Sequence, residues 1–173
     1  MTLSLYDAII PPYRQTVSAL QGVLEKGAQH YEGKGLNPDD LLEACIHETM
    51  LPLTFQINTV IHHSIGAIEG VKAGEFDAMS GLPTPDYAGF QASLVEVSRK
   101  LADVTPDEMA ALEGKDVVFK FREQRMPFTA EGFLFSFSKP NLYFHATTAY
   151  NLLRMKGVPL GKRDFLGQLQ LKA

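Results

Sequence analysis

Residues 140–157 constrain this chain most. Pro140-Asn141-Leu142-Tyr143-Phe144-His145-Ala146-Thr147-Thr148-Ala149-Tyr150 runs on through Asn151-Leu152-Leu153-Arg154 to Gly157. A proline in a first helical turn has the right φ and lacks only an N–H that needs no helical partner. A glycine just past the end takes the left-handed turn that stops a helix. At about 100° per residue, Leu142, His145, Ala149, Leu152 and Leu153 share one apolar face, while Tyr143, Tyr150 and Arg154 share another. The stretch predicts a long helix with one histidine directed at the core or its rim. Such a histidine is either a metal ligand or a hydrogen-bonded core residue.

The 173 residues suit a single domain, 1–173, with a sizeable core of its own. A net charge of −4 lacks the clustered Lys and Arg that a sequence-independent grip on nucleic acid needs. No run of eighteen apolar residues occurs, so no membrane span is expected. The first residues carry neither a basic stretch nor an apolar run, which predicts a cytoplasmic protein. With one cysteine, Cys45, no internal disulfide can form, and Cys45 is expected as a small buried residue on a helix.

The remaining helices are punctuated by proline, glycine and capping residues. Residues 3–32 predict a short helix to Ile10, a break at Pro11-Pro12, and a longer helix ended by Gly33 and Gly35. Asn37-Pro38-Asp39-Asp40 predicts a second helix start. That helix meets Pro52, and its second half runs over about 51–73. Met50, Ile57, Ile61, Ile68 and Val71 line one face of it, while Leu51, Phe55 and Ile65 make a second apolar side. So wide an apolar surface predicts contact both with the core and with another helix or a second subunit. Gln56, Thr59, His63, Gly66 and Gly70 form a seam of small or polar residues suited to close helix approach. Residues 74–83 read as a loop. A third helix over 85–103 carries the stripe Phe90, Leu94, Val97 and Leu101, and Thr105-Pro106-Asp107-Glu108 opens a short fourth one.

The pattern then turns β-like. Val117-Val118-Phe119-Lys120-Phe121 is rich in β-branched and aromatic residues, Arg122–Arg125 is polar enough for a turn, and Phe133, Phe135 and Phe137 alternate at period two. This predicts a small β-hairpin over about 116–137, inserted before the last long helix. Beyond Gly157, Phe165, Leu166, Leu169 and Leu171 form a tail able to pack. The fold class expected is all-α: an antiparallel four-helix bundle with that hairpin.

Five histidines offer chemistry: His30, His47, His62, His63 and His145. His30 suits the negative end of a helix and His47 a solvated site. His62 and His63 are adjacent, so on an α-helix at most one shares a face with a given partner. No His-x-x-x-His or His-Glu-x-x-His occurs, because the position four after His145 is Ala149. There is no cysteine pair, phosphate loop or nucleophile elbow.

Leu3-Ser4-Leu5-Tyr6, Met50–Ile57, Pro140–Tyr150 and above all Gly161-Lys162-Arg163-Asp164-Phe165-Leu166-Gly167 resemble the DinB/YfiT-like superfamily, and more closely a subfamily of it known only as a domain of unknown function. The resemblance implies the four-helix fold. It also implies a divalent metal, zinc or nickel, held by one histidine of the second helix and a His-x-x-x-His pair of the last. Some such proteins are thiol-dependent transferases or isomerases. Carried over, His145 matches the first histidine of the pair, Ala149 replaces the second, and His62 or His63 lies near the remaining position. Three readings follow: a homodimeric binding or accessory protein without that metal site and without a cofactor; a metal-dependent thiol transferase or hydrolase-like enzyme with a rearranged site; or a small-molecule binder in a bundle cavity around Tyr143, Tyr150 and Gln56.

Overall fold

A computed structural model describes residues 3–81 and 84–172. Helix α1 spans Leu5–Glu32 without interruption, with Ser4 Oγ accepting the Asp7 N–H at 3.0 Å at its start. The break expected at Pro11-Pro12 does not occur. In a helix, Pro12 leaves the Ala8 carbonyl without its usual i+4 donor. Lys139 supplies the substitute, donating from Nζ to Ala8 O at 3.0 Å. A tertiary cation thus repairs a local defect that no window of sequence around residue 12 reveals.

The second helix differs more. Asn37 caps only a single 3-10 turn, Pro38–Leu41, where its side chain accepts the Asp39 N–H. Residues 42–50 are a loop rather than a helix, and Cys45 is exposed on it. The loop folds back on the next helix, α2 (Leu53–Ile61). Leu53 and Thr54 donate their amides to Ala44 O and Leu42 O at 3.0 and 3.1 Å, so two first-turn amides that lack helical partners are satisfied. His47, also exposed on the loop, pairs with Thr49 Oγ1 at 2.9 Å.

Helix α2 continues through a π-helical turn, His62–Gly66, into α3 (Ala67–Ala73), which Gly74 ends at φ 80°. Within the expected loop lies a strand, β1 (Glu75–Asp77); Leu82 and Pro83 of that loop lie outside the described residues. Helix α4 (Tyr87–Asp103) buries Phe90, Leu94, Val97 and Leu101 as its periodicity requires. Helix α5 (Pro106–Ala110) has a full capping box between Thr105 and Glu108.

Strands β2 (Asp116–Phe121) and β3 (Gln124–Thr129) form the hairpin, with β1 added parallel to β2 in the order β1-β2-β3. The turn is Arg122-Glu123, with Arg122 at φ 54°. The hairpin ends at Thr129, not near Phe137. Thr129 instead caps α6 (Ala130–Phe133), which passes through a second π-helical turn, Leu134–Ser138, into α7 (Lys139–Met155). Phe133 is buried and Phe135 exposed by helical rather than strand geometry. Pro140 therefore lies inside a helical rod and does not begin it.

The described residues are mostly helical, with four long helical segments and a small three-stranded sheet. Helix α1 packs on α4 and α7, and α7 packs on α2. Helix α8 (Lys162–Leu166) lies across α1, held by the Lys26–Asp164 ion pair at 2.6 Å and by Gln15 Nε2 donating to Leu166 O. Phe165 stands edge-on to Tyr150, but Leu169 and Leu171 stay exposed.

Replacing Lys139 with Met should lower stability by about 1.5–3 kcal/mol, the usual worth of a hydrogen bond to a charged group. In a Pro12→Ala background residue 12 regains its N–H, and the same Lys139→Met change should cost clearly less. Urea unfolding of the four proteins measures the difference; equal costs in both backgrounds would refute the repair.

Candidate ligand cleft

The two π-helical turns face each other and are joined through one hydroxyl. Ser138 Oγ donates to His63 O at 2.9 Å and lies 2.8 Å from Tyr13 Oη, all buried. The serine has a single hydrogen, already given to the carbonyl, so Tyr13 is the donor in the second bond. Burial pushes the Tyr13 phenol well above its ordinary pKa, which keeps that proton in place. A π-helical turn is wider than an α turn, and such bulges gather at functional sites.

The wider turn explains where the adjacent histidines go. His62 and His63 both border one cleft, contrary to the α-helical expectation for neighbours. Phe76, carried by β1, sits against both rings: His62 stacks on it at 4.1 Å, and His63 lies 5.3 Å away, tilted. Gly70 makes room for that strand, since a Cβ there would stand 2.8 Å from Phe76 Cδ2 and 3.1 Å from Glu75 O. The seam of small residues admits a strand at Gly70, not another helix. Phe137, from the second π-helical turn, closes on His63 at 5.4 Å.

His145 borders the same cleft from α7, half-buried and edge-on to Phe55 at 5.7 Å. Its Nδ1 is 2.7 Å from Gln56 Oε1. Gln56 is only 2% exposed and gives Nε2 to Leu51 O at 2.8 Å. That bond fixes the amide, so the oxygen faces the histidine and Nδ1 carries the imidazole proton. His62 Nε2 meets the Asp77 carbonyl at 2.9 Å, and since a carbonyl only accepts, Nε2 carries the proton there. His63 is 6% exposed, and its Nδ1 is buried without a partner. Asn141, Thr59, Ala78, Met79, Phe119 and Phe121 complete a cleft of about 330 Å³.

The other expected pocket residues are elsewhere. Tyr143 is exposed beside Pro12, Gln15 and Phe165 in a separate hollow, and Tyr150 packs on Phe165. Gln56 acts on the cleft only through His145. Phe76, Phe119 and Phe137 were not among the expected site residues. Phe76 stands between two acids in a three-residue strand too short for a period to register.

The three histidines do not fit a three-ligand metal site. His62 directs its bare Nδ1 toward its own helix, where a Cβ on Gly66 would lie 3.4 Å away. Ala149 is fully buried, and the described residues bordering the cleft include no carboxylate or thiol. Among the described residues no group of three His, Cys, Asp or Glu is placed to hold a metal ion.

All three imidazoles are shifted toward neutrality. Loss of solvation lowers His63 to about 3, helped by the neighbouring His62 and His145. The same loss lowers His145 to about 4, and it lowers His62 against the opposing pull of the Asp77 carbonyl. At neutral pH the cleft is uncharged.

The arrangement of helical segments and sheet is that of a DinB-like protein. A crystal structure of a DinB family member protein from Shewanella denitrificans superposes with a TM-score of 0.79, covering 98% of this chain and 95% of that chain at 23% identity. Residues 5–166 match the family described as Domain of unknown function (DUF1993), and the chain belongs to that family. No curated protein matches it.

A histidine whose folded pKa is depressed stabilises the fold fully above its unfolded value of about 6.5, and that contribution falls as pH drops toward the folded value. Stability should therefore decline between pH 7 and 5, with His63 alone removing about 2 kcal/mol and half-exposed His145 less. Urea midpoints across that range, compared with those of His63→Phe, test this. An unchanged slope in the variant would remove His63 as the cause.

Proposed function

We propose that this protein binds a small molecule in the cleft between the two π-helical turns and the sheet. The observation that carries the reading is the cleft's composition: about 330 Å³ walled by Phe55, Phe76, Phe119, Phe121 and Phe137, with uncharged imidazoles set among them. Ligand sites are concave, mostly apolar and supplied with a few placed polar groups, and they begin near this volume. A flat, uncharged molecule of one or two rings suits such walls. The four long helical segments are read here as an antiparallel four-helix bundle, with the sheet closing one side of the cleft.

A protein-observed NMR titration with anisole tests the cleft without involving hydrogen-bond donors. The methyl groups of Thr59, Ala78 and Met79 should shift together and saturate at millimolar concentrations, given about 0.5 kcal/mol per heavy atom for a small probe. Ala78→Phe should abolish the shifts. Scattered or non-saturating changes would count against a binding site.

The same geometry supports a protein without the superfamily's three-histidine metal centre. Buried Ala149 and the inward-turned Nδ1 of His62 leave too few ligands for the closed or three-ligand sets that zinc adopts. Metal analysis of protein purified without a histidine tag should find no stoichiometric zinc or nickel. One equivalent of either, lost in His145→Ala, would overturn this.

A further inference from the structure

We infer that the cleft selects its ligand by accepting hydrogen bonds from it, and that the ligand class is an uncharged aromatic bearing a hydroxyl donor, of the phenol type. The inference rests on the cleft being a ligand site and adds the direction of recognition. It follows from what the polar side chains at the cleft do with their hydrogens. His145 gives its Nδ1 proton to Gln56 Oε1. His62 gives its Nε2 proton to Asp77 O. Thr59 gives its hydroxyl hydrogen to Phe55 O at 2.8 Å, and Asn141 Nδ2 donates to Phe137 O at 2.7 Å. In each case the partner is a protein oxygen. What these groups have left is the bare Nε2 of His145, Oδ1 of Asn141 and the lone pairs of Thr59 Oγ1 as acceptors, against one donor, the second N–H of Asn141. His63, a neutral imidazole, adds one bare nitrogen and one N–H, and among the described residues its buried Nδ1 has no partner.

A wall with more acceptors than donors, and no cationic side chain, disfavours carboxylates and phosphates, which need several donors. It also disfavours a full positive charge, because among the described residues none bordering the cleft is a carboxylate and an unpaired buried cation is costly. An O–H on an aromatic ring meets both demands: the ring takes the phenylalanine walls and the hydroxyl hydrogen goes to His145 Nε2. Gln56 is then a positioning residue, since its amide sets which imidazole nitrogen is bare.

The test compares phenol, anisole and benzylamine by calorimetry and by the same NMR titration. Phenol should bind at least tenfold tighter than anisole, which keeps the ring but lacks the donor, and tighter than benzylamine. In His145→Phe the two neutral probes should bind alike. Imidazole ¹⁵N spectra of the unaltered protein give a second measurement that does not depend on the variant folding. Phenol should move the Nε2 resonance of His145 and leave Nδ1 nearly unchanged. Equal binding of phenol and anisole at the cleft methyls would overturn the acceptor rule while leaving the cleft a ligand site. Preference for benzylamine would overturn it in favour of a cation. Failure of all three probes to bind would remove both readings.

Discussion

The buried hydroxyl of Ser138 holds the parts of this molecule in register. It receives a hydrogen from Tyr13 on the first helix and passes its own to the His63 carbonyl on the second helical segment. A π-helical turn leaves a backbone carbonyl short of its α-helical partner, and a buried carbonyl without a donor costs free energy comparable to a lost bond. Three segments far apart in sequence are tied at one point, and the cleft opens beside it. The carbonyl that Ser138 satisfies belongs to the same widened turn that carries His62 and His63 to the cleft.

Much of the helical framework was legible because its signals are local. Asp86 and Thr105 cap their helices through their own side chains, and the Phe90–Leu101 stripe is buried as a period of 3.6 requires. The misreadings share a cause: the decisive partner lies far away in sequence. Pro12 is tolerated because of Lys139. Residues 42–50 leave the helical path because their carbonyls cap α2. Phe133, Phe135 and Phe137 alternate in sequence yet sit on a helix, because Thr129 caps a new one and Arg122-Glu123 makes the turn earlier than the polar run suggested.

The site was legible in its histidines and opaque in its walls. The helix alone directs His145 at the core or its rim, and Gln56 stands in the expected pocket, but nothing in the sequence joins the two across 89 positions. The DinB-like likeness accounts for the path of the backbone. Position 149, four residues after His145, is a fully buried alanine that brings no ligating atom to the cleft. Common folds carry different sites because a site depends on a few side chains that the backbone does not dictate.

The sheet has one further consequence. Strand β3 is an outer strand, and at Pro127, opposite Val118, it has no N–H to offer a newcomer. The other edge, β1, is only three residues long. Both borders are thus poor templates for strand addition, the usual hazard of a small exposed sheet. Copies of this chain therefore gain little from pairing edge to edge through the sheet.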